Sequence, residues 1–183
     1  ERVVGLSGDR LTPGLTEAAP LGALAHRLAD TRDGDIVEIC PALTGIGAAI
    51  GGRIAQYGGA AIIVDYGDWA SLGDTFQAVS DHKIADPFAE PGQADLTAHV
   101  DFAALAAATA PARHSRLTPQ GVFLERLGIT QRAEKLASGL QGAALDRHIA
   151  AHRRLTHPTQ MGDHFKVIRI YPDGAAPPPG LTA

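Results

Sequence analysis

The sequence predicts an α/β fold built on a mostly parallel sheet, and three observations carry that expectation. AAIIVDYG (60–67) is a continuous apolar run that ends in polar residues. Strands buried on both faces read this way, chiefly in parallel sheets covered by helices. Strand-like and helix-like segments alternate along the chain, the pattern of a layered α/β protein. HFKVIRIYP (164–172) alternates polar and apolar residues as a strand does.

Each element has its own justification. RVVGLSGDRLTPGL (2–15) is two extended runs around Ser7-Gly8-Asp9, a hairpin signal. Residues 16–34 are Ala- and Leu-rich and predict a short helix ending near Asp33-Gly34. DIVEIC (35–40) predicts a strand stopped by Pro41. LTGIGAAIGGRIAQYGG (43–59) predicts a helix halted at Gly58-Gly59, and the apolar strand follows. Residues 68–100 show no clear period. A long irregular segment after a parallel strand is more often functional than decorative. DFAALAAAT (101–109) predicts a helix with Asp101 as N-cap, and RHSRL (113–117) a short strand. Helices are expected at 119–127, 130–138 and 143–155, and DGAAPPPGLTA (173–183) as a frayed, Pro-rich tail. No internal repeat and no second domain is visible.

The bulk numbers narrow the function classes. The chain has 183 residues, 45% hydrophobic and 20% charged, which suffices for one domain with a core. A net charge of −4 calls for neither nucleic acid nor an anionic membrane. No apolar run reaches the roughly 18 residues of a membrane span, and no signal peptide is visible. The single cysteine, Cys40, excludes an internal disulfide framework and a multi-cysteine zinc site.

Four patterns bear on chemistry. In open α/β sheets ligands bind beyond the carboxyl ends of the strands, which makes Asp65, Tyr66 and Gly67 site candidates. The alternative makes Asp65 a turn cap and Tyr66 a packing group. GIGAAIGG (45–52) looks like a dinucleotide fingerprint, but Ile50 stands where the fingerprint needs glycine, and Pro41-Ala42-Leu43-Thr44 intervenes after the strand. An NAD(P)-binding Rossmann domain built on it is the alternative enzyme reading. His148 and His152 are four apart on a predicted helix, near His157 and His164, yet Ile149, Ala150 and Ala151 between them supply no Glu. A solvated helix face is favoured, and no metal is expected. In ADLTAHVDF (94–102), Asp95, Thr97, His99 and Asp101 would share one face if extended. They form either a site wall, with His99 an acid or base, or a loop that caps the next helix.

VDYGDW (64–69), GDTFQAV (73–79), His82, ADPFAEPGQADLTAHVDF (85–102), QGVFLERLGI (120–129) and QMGDHFKVI (160–168) occur in the order found in the MidA-type methyltransferases, and the chain resembles that family over nearly its whole length. The family depends on S-adenosylmethionine (SAM) and includes mitochondrial complex I assembly factors that methylate a protein arginine. The resemblance implies a Rossmann-like class I methyltransferase fold, with IIVDYG as the fifth strand, the region of RHSRL as the sixth and HFKVIRIY as an antiparallel seventh. Residues 1–15 become a β-hairpin excursion, 1–172 the C-terminal portion of the methyltransferase domain, and 173–183 a flexible tail. The family's glycine-rich SAM loop has no match here, so the chain is expected to be a C-terminal half whose main SAM contacts lie outside it. This half alone is expected to be inactive. The resemblance places Asp65, Tyr66 and His99 at the catalytic wall, and Gly67, Asp95, Thr97, Asp101 and Gln120 in contact with substrate, Gln120 at the rim. It implies a protein substrate, a respiratory complex I subunit among the candidates. The implied location is a bacterial cytoplasm, or the mitochondrial matrix in a eukaryote. A non-catalytic interaction module is the remaining alternative.

Overall fold

The computed structural model describes residues 1–176 and 178–182 and divides into two units. The first comprises Glu1–Glu38 and Leu72–Ala98. Strands β1 (Arg2–Ser7) and β2 (Arg10–Leu15) form the expected hairpin, turning at Gly8 with φ 61°. The predicted short helix is one 3-10 stretch, Gly22–Arg27, followed by Arg27 donating from Nε to both carboxylate oxygens of Asp30 at 3.1 and 3.0 Å. Residues 35–40 form no strand. They are tied to 73–75 instead: Gly73 N–H donates to Ile36 O at 2.8 Å, and the Glu38 carboxylate accepts from Thr75 N–H at 3.0 Å and from its hydroxyl.

The segment that showed no period holds a small antiparallel sheet. Its strands are β4 (Gln77–Ser80), β5 (Lys83–Ala85) and β6 (Asp95–Thr97), with β4 in the middle. Asp81 and His82 make the β4–β5 turn at φ 48° and 60°, the left-handed geometry that tight hairpins need.

The second unit, Ile39–Ser71 and His99–Ala183, contains the main sheet. Helix α1 (Ala42–Tyr57) ends at Gly58, whose φ is 74° and whose N–H closes on Ile54 O at 2.8 Å. Strand β3 (Ala61–Asp68) follows. Next come β7 (Val100–Asp101) and α2 (Phe102–Ala108), then the short pair β8 (Arg113–His114) and β9 (Thr118–Pro119). Helices α3 (Gln120–Arg126), α4 (Ile129–Ala137) and α5 (Gly142–Thr156) lead to β10 (Phe165–Tyr171).

Sheet order is β7-β3-β10-β8, with β9 also on β10. Strand β10 runs antiparallel to β3 on one side and to β8 and β9 on the other, so β3 and β8 point the same way around it. Among the described residues, only the β3–β7 pair is parallel. The last strand is therefore antiparallel, as the family resemblance implies.

The core sits where α1 and α2 meet one sheet face. Phe102, Leu105, Ala106 and Ile168 form one buried cluster, and Ile54, Ala112 and Ile170 a second. Each fully buried Phe or Ile contributes about 1.5–3 kcal/mol. The helices cross closely because of two glycines. A Cβ on Gly47 would lie 2.5 Å from Ala108 Cβ, and one on Gly51 1.8 Å from Thr109 O.

Strand β3 departs from the expected burial on both faces. Ala61, Ile63 and Asp65 are half-buried, whereas Ile62, Val64 and Tyr66 are 55%, 44% and 40% exposed. The terminal segment is not frayed over its described part. Leu181 is buried and Thr182 O accepts from Arg116 N–H at 2.9 Å. An apolar side chain anchors what composition alone reads as free tail. Pro177 and Ala183 of that predicted tail lie outside the described residues.

Candidate functional site

A cleft of the second unit opens beside the carboxyl end of β3. Tyr66 is the register partner of Phe165 on β10, so the two rings lie side by side on one sheet face at 4.2 Å. His99, at the approach to β7, stacks near-parallel to Tyr66 at 6.4 Å. Arg154 from the last turn of α5, with Gln160, Met161 and His164, completes a cleft of about 340 Å³ around Tyr66 and Phe165.

The rim that carries Gln160 and Met161 is held firmly. Residues Pro158–Gly162 form a tight turn after α5. His157 accepts from Thr159 N–H at 3.3 Å. Gly162 and Gly121 sit so close to Thr156 O that a Cβ on either would approach it to 2.1 or 2.3 Å. Gln120 Nε2 donates to Leu155 O at 2.9 Å.

The sequence candidates divide accordingly. Tyr66 and His99 stack with each other, though His99 is not among the residues lining the cleft. Asp65 does not join them: it sits on the alternate face of β3, half-buried, and its Oδ1 accepts from Tyr66 N–H at 2.8 Å. Consecutive strand residues point to opposite faces, and Asp65 is not among the cleft's lining residues. Gly67 is a packing requirement, because at φ 152° a Cβ would meet Val100 O at 2.2 Å. Asp101 caps α2: Oδ1 accepts from Ala104 N–H at 2.8 Å and Oδ2 from Ser71 N–H at 3.0 Å. Gln120, expected at the rim, is 7% exposed and stabilises α5 from inside. The four polar residues of 95–101 share no single strand face. Asp95 and Thr97 lie on β6 in the first unit, whereas His99 and Asp101 belong to the second.

Sequence reasoning missed Arg154, Gln160, Met161 and Phe165 as cleft residues, and read His164 only as part of a histidine cluster. The family stretch QMGDHFKVI contains four of them, and its position just before an antiparallel strand was the available signal. The other histidines are used by the fold. His148 Nε2 meets Ala133 O at 2.9 Å, and His152 Nε2 meets the Thr130 hydroxyl at 3.1 Å. Among the described residues no group of three or more His, Cys, Asp or Glu is placed to hold a metal ion.

GIGAAIGG lies wholly inside α1, so it forms no strand-to-helix turn with N–H groups free to cradle a pyrophosphate. Its buried glycines, Gly47 and Gly51, face α2 instead. This overturns the dinucleotide reading. The same residues do not fit the donor loop of a SAM site.

Residues 1–120 match a family described as "Putative S-adenosyl-L-methionine-dependent methyltransferase". The chain belongs to this family. It is 36% identical over 146 residues to the mitochondrial protein arginine methyltransferase NDUFAF7 of Xenopus laevis, covering 78% of the chain and 33% of that protein. It is 36% identical over 141 residues to the human NDUFAF7, covering 75% and 32%. A crystal structure of a Burkholderia thailandensis protein bound to S-adenosyl-homocysteine superposes with a TM-score of 0.77 at 26% identity, over 98% of this chain and 48% of that one. The chain thus spans about a third of the curated relatives it matches and about half of the solved chain. The likeness to the solved chain sets the fold as Rossmann-like, and SAM is the cofactor in the family's description. Among the described residues no helix is long and apolar enough to cross a membrane.

Proposed function

We propose that this chain forms the acceptor-side wall of a SAM-dependent protein arginine methyltransferase whose donor-binding contacts lie outside residues 1–183. The observation that carries the reading is the Tyr66–Phe165–His99 ring cluster at the carboxyl end of β3, where open α/β sheets receive their ligands. The names of the NDUFAF7 relatives support arginine as the acceptor. A respiratory complex I subunit is the acceptor protein that the family resemblance points to. The site of action follows the organism: mitochondrial matrix in a eukaryote, cytoplasm in a bacterium.

Methyl transfer to nitrogen is an in-line displacement, so the protein's main task is to hold donor and acceptor in line. Tyr66 and Phe165 offer an aromatic wall against which an acceptor segment can pack. His99 extends that wall. Asp65, turned to the other face, has no part in this account.

The test is methyl incorporation into arginine-containing protein by the whole enzyme. Replacing Tyr66 by Ala is expected to lower turnover about tenfold or more, since misplacement of about 1 Å can cost roughly a hundredfold. Unchanged turnover overturns the assignment. Tight SAM binding by residues 1–183 alone, measured by calorimetry, refutes the absence of the donor site. NAD serves as the control ligand and is expected not to bind.

A further inference from the structure

We infer that the Tyr66–Phe165 cleft reads an acidic side chain of the acceptor polypeptide, close in sequence to the residue that is methylated. The inference rests on the methyltransferase reading for the word acceptor, and on the cleft's own chemistry for the word acidic.

Six residues line the cleft: Tyr66, Arg154, Gln160, Met161, His164 and Phe165. None is a carboxylate. Arg154 is a permanent cation and, among the described residues, its side chain makes no ion pair or hydrogen bond. The two acids that adjoin cleft residues in sequence are engaged elsewhere. Asp163 is paired with Lys166 at 3.5 Å, and Asp65 closes on its own strand. A guanidinium without a partner, set against an apolar wall, is suited to a two-pronged bond with a carboxylate. Gln160 adds an amide donor, and His164 adds a ring N–H.

The rest of the cleft suits the stem of such a side chain. Met161, Phe165 and Tyr66 give apolar contact for methylene groups. A volume of about 340 Å³ is at the small end of ligand pockets and holds one side chain with its flanking backbone. The rim is set before binding, because the Gly121, Gly162 and Gln120 contacts fix the turn that carries Gln160 and Met161. A preformed site loses less on binding than one that must be ordered. The same charge excludes the acceptor guanidinium itself, since Arg154 would repel it. The methylated arginine therefore sits outside this cleft, and the cleft sets its register by holding a neighbour.

The experiment titrates the 183-residue chain with two capped peptides, acetyl-Gly-Arg-Gly-Glu-Gly-amide and the same peptide with Gln for Glu. The Glu peptide is expected to bind about tenfold more tightly, the size of one charge-assisted contact. Arg154→Gln is expected to erase that preference, and Arg154→Lys to keep part of it. The melting temperature should change by no more than about a degree or two in both variants, because the Arg154 side chain makes no hydrogen bond or ion pair among the described residues. Equal binding of the two peptides, or binding of neither, overturns the inference. So does displacement of the peptide by free glutarate at equal concentration, which would make the ligand a small dicarboxylate. If the Glu preference and its loss in Arg154→Gln are found while the whole enzyme methylates no arginine, the acidic-side-chain site stands and the methyltransferase reading fails. The two failures are thus separable.

Discussion

Replacing Gly51 by Ala tests the packing that orders this fold around its sheet. The new Cβ would lie 1.8 Å from Thr109 O and 2.5 Å from Thr109 C. Ordinary contact begins at 3.4 Å, so the shortfall is 3.4 − 1.8, or about 1.6 Å. Both clashing atoms are backbone and cannot rotate away; α1 and α2 must move apart, loosening Ile54, Leu105 and Ala106. Overpacking of this kind costs about 1–3 kcal/mol or more. Alanine returns roughly 0.5–1 kcal/mol through helix propensity. Gly52 is the internal control. It is the next residue of the same helix, with nothing within 4 Å of its would-be Cβ, so Gly52→Ala keeps the propensity gain and lacks the clash. At about 2–4 °C per kcal/mol for a chain of this size, Gly51→Ala should lower the melting temperature by several degrees and Gly52→Ala raise it by about 1–4 °C. Thermal melts followed by circular dichroism read both. Gly51→Ala melting at or above the wild type would refute the close crossing and reopen a cofactor role for these glycines.

Two further outcomes follow from contacts described above. Asp101→Ala removes the acceptor of Ala104 N–H and Ser71 N–H and should cost about 0.5–2 kcal/mol in a urea melt, with Asn costing less. A loss of methyl transfer at unchanged stability would restore the substrate role expected from sequence. Val64→Glu in residues 1–183 should shift stability by no more than about 0.5 kcal/mol, because Val64 is 44% exposed. In the whole protein, where we expect that sheet face to be covered, the same change should cost several kcal/mol, as a buried unpaired charge does. Equal effects in the two proteins would sink that expectation.

Most of the second unit was legible from sequence because its signals are local. The Gly58 stop, the Asp101 cap and the continuous apolar run that opens 60–67 each fix one element without reference to the rest of the chain. The predicted strand 35–40 failed because a strand needs a ladder partner. Its neighbour across the Gly73–Ile36 bond supplies single contacts, mostly to the Glu38 side chain. Strands β4 and β5 were missed for the opposite reason. Their hairpin turn is Asp81-His82, with both residues at positive φ, where the sequence signal would be Asn-Gly. Gln120 shows the limit for site residues: an amide at a helix start looks exposed in sequence, and only the return of α5 over it makes it buried.

The β3 strand joins these observations. Its sequence is apolar at every position from Ala61 to Val64, which specifies cover on two faces. The chain covers one. Helices α1 and α2 take the face of Ala61 and Ile63, and Ile62, Val64 and Tyr66 look the other way. Asp65 and Tyr66 were adjacent in every sequence argument, yet the period of two sends them to different surroundings. Asp65 belongs with the packed face, and Tyr66 with the aromatic cleft and the uncovered one. The DYG triplet therefore does not present its side chains to one surface. The candidate surface is the cleft at the end of the strand, where Tyr66 meets Phe165 of β10.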